Sequence, residues 1–220
     1  MKKLILLATI LVSTLGIAQE KITEGKIISK QTMSSPDAQM NMQLAMVGEM
    51  ITTTYFKEGK SRAELKSPMA GNTTSILNMG TKEMLVIMDN PMVGKKYILQ
   101  KIDNSEEKLK DVSVEETKET KEFLGYNCKK YIVKMKVQGV DANVVIYATD
   151  QLPSMGKSAA QMGNKIKGFP LFSETKVMQA GKEIIVKAEV TEIKKEAVSD
   201  DKFDMTPPAG YEKQEVSAGM

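Results

Sequence analysis

The feature that most constrains the fold is a succession of short strand-forming runs, each ended by a turn. The run ITTTYF (51–56) is rich in β-branched and aromatic residues; the turn KEGK and the run SRAEL follow it, which is a hairpin signature. The run NCKKYIVKMKV (127–137) alternates apolar residues with lysines, as a half-buried strand does. No run is followed by a helix long enough for a parallel crossover, so we predict an antiparallel sheet.

About ten such strands in one domain would not remain a flat sheet. We therefore predict a mainly β protein (β-rich α+β), in which a strongly curved antiparallel sheet forms a half-barrel or open barrel, with one or two short helices as a flap. Residues 19–211 are predicted to form this single domain, and residues 212–220 a frayed C-terminal tail. The charged stretch 103–122 is predicted to be a solvated connection with at most one short helix.

The first residues have the organisation of a secretory signal peptide. Two lysines precede an apolar run from Leu4 to Val12, and the small residues Gly16 and Ala18 follow. We expect cleavage after Ala18, which makes residues 1–18 the signal peptide. The apolar run is too short to cross a bilayer, so we expect an exported protein, periplasmic or extracellular, with no transmembrane segment.

The composition excludes several classes of protein. The chain has no histidine, which rules out Ser-His-Asp and Cys-His catalysis and histidine-ligated zinc. A formal charge of only +3, with 5% aromatic residues, argues against nucleic acid as a partner. The single cysteine, Cys128, is expected to be a buried structural thiol. We expect a binding protein rather than an enzyme, and no cofactor.

Methionine is the unusual residue, with 17 in the chain. Four of them lie in DAQMNMQLAMVGEM (37–50). Ser35 followed by Pro36 is a good helix start, and a helix over 37–48 would place Met40, Leu44 and Val47 along one stripe. Strict alternation also fits a strand, but the start signal favours the helix.

Three uses of these methionines remain open. They can fill irregular gaps in the core, or they can line a wall that repacks around a lipid or another hydrophobic guest, or they can bind Cu(I) through their thioethers. The copper hypothesis uses Met40, Met42, Met46 and Met50. The candidate ligand-binding set for the wall is Met40, Met42, Leu44, Met46, Met50, Met155 and Met162.

Five short blocks follow one another along the chain: YFKEGKSRAEL, EFLGYNCKKYIVK, IYATDQLP, KGFPL and FDMTPPAGY. Behind a signal peptide and in this order, they resemble an exported bacterial family known as domain of unknown function 4412. The hairpin order with a helical insertion is also similar to the outer-membrane lipoprotein carrier (LolA-like) fold, whose curved sheet holds acyl chains on its concave side. Both resemblances imply a compartment and a shape, and neither implies a reaction.

We therefore expect an envelope protein that binds a hydrophobic ligand, a lipid or a lipoprotein acyl chain, in the concave face of the sheet. The alternative is a structural or interaction module with a filled interior, which would use sheet edges and the 103–122 connection to dock an envelope protein partner. A third hypothesis is a Cu(I)-binding protein.

Overall fold

Twelve strands form one sheet in the computed structural model, which describes residues 21–67, 71–91, 94–102, 109–137, 139–155, 162 and 165–215. The predicted signal peptide lies outside the described residues. Helix α1 (Ala38–Val47) and a 3-10 helix at Asp200–Phe203 accompany the sheet. The strands are β1 (Glu24–Ser34), β2 (Met50–Lys57), β3 (Lys60–Ser67), β4 (Gly71–Asn78), β5 (Glu83–Asn90), β6 (Gly94–Lys101), β7 (Ser113–Phe123), β8 (Tyr126–Val137), β9 (Val140–Thr149), β10 (Phe169–Gln179), β11 (Lys182–Lys194) and β12 (Glu212–Lys213).

The sheet consists of two meanders, β1 to β6 and β7 to β11, which are joined where β1 pairs with β11. The order is β12-β6-β5-β4-β3-β2-β1-β11-β10-β9-β8-β7, so β1 joins β2 on one side and β11 on the other. All neighbours are antiparallel except β12, which runs parallel to β6. The sheet curls without closing, which confirms the predicted mainly β fold with a curved antiparallel sheet and a short helix.

Alternation along β8 has the effect that the sequence predicts. Tyr131 and Val133 are buried, whereas Lys134 and Lys136 are exposed. The two apolar residues belong to a core cluster that Ile166 helps to cover. The β8–β9 side of the sheet is thus closed by its own core.

A second core cluster lies on strands from both meanders. It includes Ile27 of β1, Phe56 of β2, Leu171 of β10 and Val190 of β11, all buried. Because these residues come from the first and last thirds of the chain, this cluster fixes the two meanders against each other.

The prediction for residues 103–122 was wrong where the structure describes it, since Ser113–Phe123 is an edge strand. It pairs with β8 through an irregularity between Glu116 and Thr120. Charged side chains are tolerated on an edge strand because water can solvate them there. They also discourage pairing of the edge with another chain. Residues 103–108 lie outside the described residues.

The C-terminal segment returns along the first meander. Lys202 places its Nζ 4.5 Å from the ring centroid of Tyr55, and Phe203 is buried. Glu212 and Lys213 then pair with β6. Ordered structure therefore continues past Tyr211, where we expected fraying to begin; residues 216–220 lie outside the described residues.

We predict that Gly168→Ala destabilises the protein by about 2–5 kcal/mol, because φ is +84° there and a Cβ would lie 1.9 Å from the carbonyl oxygen of Thr149. Gly181→Ala is the matched control, with φ at +74° but nothing within 4 Å, and should cost only about 1–2 kcal/mol. Urea unfolding measures both. Equal losses would show that the close approach at Gly168 contributes nothing.

Candidate functional site

The pairing register separates charged from uncharged residues across the sheet. Residues directly opposite each other on antiparallel strands project from the same face, and successive residues project from opposite faces. One row crosses β1 to β5 through Ser29, Thr52, Leu65, Thr73 and Met88. None of its members carries a charge.

The next row, one residue away on every strand, has a different character. It runs through Lys30, Ile51, Lys66, Asn72 and Asp89. Three of its five side chains are charged. Charged and uncharged residues are separated in the same way in the other rows along these strands, so one side of the sheet is largely uncharged and the other is charged.

The face that holds the first row carries no Asp, Glu or Arg from β10 through β11 and β1 to β5. Its one charged residue on these seven strands is Lys182, at the start of β11; on the next strand, β6, Lys96 lies opposite Met88. We call this surface the uncharged face. Its main members are Ser173, Thr175 and Val177 of β10; Ile184, Val186, Ala188 and Val190 of β11; Ile27, Ser29, Gln31 and Met33 of β1; Met50, Thr52, Thr54 and Phe56 of β2; Ser61, Ala63 and Leu65 of β3; Thr73, Ser75 and Leu77 of β4; and Met84, Val86 and Met88 of β5.

Burial varies along the uncharged face. At one end, Phe56 and Leu77 are buried within the sheet's core. Further along the strands, Thr73, Ser75 and Val86 are only half-buried. Half-buried neutral side chains can lose their remaining water at little cost, because no charge has to be desolvated. This part of the face can therefore accept an apolar molecule.

Helix α1 is attached at the other end of the uncharged face. The Nζ of Lys182 lies 2.8 Å from Oδ1 of Asp37, the residue that caps the helix. The hydroxyl of Ser35 donates to the carbonyl oxygen of Glu183 at 2.6 Å. The start of α1 is thus held against the β10–β11 hairpin.

The predicted helix is confirmed, but its cap is Asp37 rather than Ser35. The carboxylate of Asp37 accepts from the backbone N–H of Met40 at 2.8 Å, as N-cap side chains do. The ammonium of Lys182 and this backbone N–H hold the pKa of Asp37 below its ordinary value. The cap carboxylate is therefore ionised at neutral pH.

The helix presents two apolar stripes to different surroundings. Met40, Leu44 and Val47 are half-buried, as the predicted stripe requires, and α1 packs against β1. Met42 and Met46 are 69% and 74% exposed. No residue of α1 is fully buried.

The structure does not bring the predicted ligand-binding residues into one wall. Met50 lies on the uncharged face. Met155 is buried in the core cluster of Ile27 and Phe56, and Met162 is buried beside Tyr131. These two methionines fill core space.

The proposed copper ligands are likewise dispersed. Met40 is half-buried on the inner side of α1, and Met42 and Met46 are exposed on its outer side. Met50 is buried on β2. Four thioethers on three different surfaces do not form the compact set that Cu(I) requires. Among the described residues, no group of three or more His, Cys, Asp or Glu side chains is placed to bind a metal ion either.

Sequence reasoning missed three methionines of the uncharged face, Met33, Met84 and Met88. For Met84 and Met88 the signal was present in EMLVIM, where they alternate with Val86 between them. Because the intervening residues are apolar as well, alternation alone did not separate the two faces of this strand.

Cys128 is buried on the opposite side of β8 from Tyr131. Its Sγ donates to the carbonyl oxygen of Tyr126 at 3.6 Å, and burial raises its pKa to about 11. The rings of Phe123, Tyr147 and Phe172 belong to the same core region. The thiol is thus kept protonated.

The fold and the site define a mainly β protein with a curled antiparallel sheet, one face of which carries a single charge over seven neighbouring strands. The chain belongs to the family described as Domain of unknown function (DUF4412), which it matches over residues 37–211. No curated protein matches it. Within the described residues, no helix has the length and apolar character needed to cross a membrane.

Two solved structures of PNGF-II are similar to the chain. The structure in the C2 space group has 17% sequence identity and a TM-score of 0.48, and the similarity covers 89% of this chain and 31% of PNGF-II. The structure in the P21 space group has 16% identity and a TM-score of 0.46, with 86% and 31% covered. The chain thus spans about a third of the length of PNGF-II.

We predict that Cys128 reacts with a disulfide-exchange thiol reagent at pH 8 only after unfolding. With a pKa of about 11, roughly one thiol in a thousand is ionised at that pH, and the side chain has no access to water. The release of the reagent's chromophore is followed with and without denaturant, with Cys128→Ser as the blank. Rapid labelling of the native protein would contradict the burial.

Proposed function

We propose that this is an exported envelope protein, not an enzyme, which transiently holds a hydrophobic ligand on the uncharged face. The ligand class is a lipid or a lipoprotein acyl chain. The observation that carries the proposal is the segregation of charged residues between the two faces of the sheet. Over seven neighbouring strands, one face has a single charged residue, Lys182, while the reverse face has many charged residues. A sheet face that served only as a solvated surface would not need to exclude charge.

The chemistry of the uncharged face suits a long, weakly polar chain. Methyl groups, thioethers and hydroxyls alternate across it, and they offer dispersion contacts without a fixed polar geometry. Six spacings between the seven strands extend over roughly 29 Å. Such a surface selects for length and apolar character rather than for a particular functional group, which suits a carrier.

The same surface supports a non-catalytic role. General acid–base chemistry without histidine would need carboxylates, lysine or tyrosine. On the uncharged face of β10, β11 and β1–β5, Lys182 is the one such residue, and its ammonium is already paired with Asp37. We therefore place binding, not reaction, on this face.

Helix α1 is the natural flap for this ligand. Its start is attached to the β10–β11 hairpin through Asp37, and its chain leaves through Gly48, whose φ is +72° and where an added Cβ would meet nothing within 4 Å. An α1 that swings about these ends would expose or cover the strand ends at Met33 and Met50.

The alternative role as an envelope interaction module through sheet edges has less support. The edge strand β7 is densely charged and irregular between Glu116 and Thr120, which are features that protect an edge from pairing. At the opposite edge of the sheet, β12 covers part of β6 by pairing with it at Lys96 and Tyr97, so that part of β6 is not open to a partner.

We predict that placing two lysines on the uncharged face weakens binding of a neutral hydrophobic dye, N-phenyl-1-naphthylamine, by at least tenfold, or about 1.4 kcal/mol. The variant is Thr52→Lys with Thr73→Lys, which lie in one row with only Leu65 between them. Fluorescence titration measures the affinity.

The matched control is Thr53→Lys with Thr74→Lys. These threonines are the next residues on the same strands, are also half-buried, and lie in the row of Glu64 on the reverse face. We expect this control to bind the dye like the wild type. Equal weakening in both variants, or no dye binding by the wild type, would contradict the proposal.

A further inference from the structure

Helix α1 is anomalous as a surface element. Charged residues make up 27% of the chain, yet the ten residues AQMNMQLAMV contain none. The side chains of Met42 and Met46, four residues apart and hence neighbours on one side of the helix, are 69% and 74% exposed. An uncharged helix with methionines on its outer side would normally be covered.

Other exposed apolar side chains lie at the same end of the sheet. Ile51 is the second residue of β2, which α1 precedes; Val140 opens β9; and Met178 is the last residue but one of β10. Because neighbouring strands are antiparallel, the start of β2, the start of β9 and the end of β10 meet at one end. Of the large apolar side chains that are exposed in the described part of the chain, only Leu99 and Leu124 lie elsewhere.

The charges beside α1 are neutralised within the protein. Asp37, at its start, is paired with Lys182 at 2.8 Å, and Glu49, just past its end, is paired with Lys30 at 3.1 Å. The helix therefore presents no net charge to a partner. A strongly anionic or cationic surface would gain nothing from it, whereas a surface of zwitterionic headgroups over hydrocarbon is complementary to it.

The size of α1 argues against a protein as the occupant. A ten-residue helix is about 15 Å long and about 10 Å wide, so its footprint is roughly 150 Å². A stable protein interface needs about 800 Å² on each side, and so does a dimer of this chain. A bilayer has no such minimum area; the strength of binding rises with the apolar area that enters it, so a contact of this size gives transient docking.

We propose that the outer side of α1, with Met42 and Met46 as its contact residues, docks transiently on an electrically neutral lipid bilayer. This goes beyond ligand binding, because docking requires nothing of the uncharged face. It would place the start of β2, and with it Met50 on the uncharged face, next to the membrane surface.

The absence of tryptophan from the chain permits a clean test. Met46→Trp adds one fluorophore to the outer side of α1, and Leu124→Trp adds one at the opposite end of the sheet, in a turn residue that is 50% exposed. Both are titrated with phosphatidylcholine vesicles at low and high salt. We expect a blue shift for Met46→Trp at both salt concentrations and none for Leu124→Trp.

Four results would overturn the proposal. The first two are no shift for Met46→Trp and equal shifts for both variants. The third is a shift that needs anionic lipid and disappears in salt, which would indicate adsorption through lysines. The fourth is a shift that depends on protein concentration without vesicles, which would indicate a second copy of the chain. Retention of dye binding by Met46→Trp separates this test from the test of the uncharged face.

Discussion

The register between neighbouring strands is the constraint on which the rest of the structure depends. A slip of one residue in any strand would move its charged side chains onto the uncharged face and its methyl groups to the other side. The irregularity opposite Ile28 and Ser29 shows how the register is kept, since Ser29 pairs with Val190 while Ile27 pairs with Ile193. The extra residue on β11 lets both partners project from the uncharged face.

The pairing of β1 with β11 makes that face continuous. Each meander alone would have an open edge at this point and only part of the surface, five strands (β1–β5) or two (β10 and β11). The core cluster around Ile27, Phe56 and Leu171 draws on both meanders, so the burial that stabilises the fold also aligns the two halves of the candidate site. Stability and the extent of the site therefore come from the same contacts, and a change at this pair of strands would affect both.

The sequence predicted what depends on local pattern and missed what depends on tertiary pairing. Hairpins such as β2–β3 and the alternating strand β8 follow from propensity and periodicity. Strand β7 was missed because its charges lie on an edge that only the completed sheet defines. Met33 was missed because its partner, Val186 of β11, is far away in sequence. Met84 and Met88 pair within local hairpins and were missed because both alternating sets of side chains on β5 are apolar. Conversely, Met155 and Met162 look like wall residues in the sequence and are core residues in the structure.

Lys182 helps to fix the position of the helix. Its ammonium lies 2.8 Å from the carboxylate of Asp37, and the same carboxylate caps α1. One carboxylate thus fixes the start of the helix to the strand hairpin, while Glu49, just past the end of α1, is paired with Lys30. Between these two fixed ends α1 packs against β1 through half-buried side chains, and no residue of the helix is fully buried. The exchange of sheet contacts for lipid contacts that we propose would therefore be a rotation of α1 about its two ends, which would cost little packing because methionines lie on both its inner and outer sides.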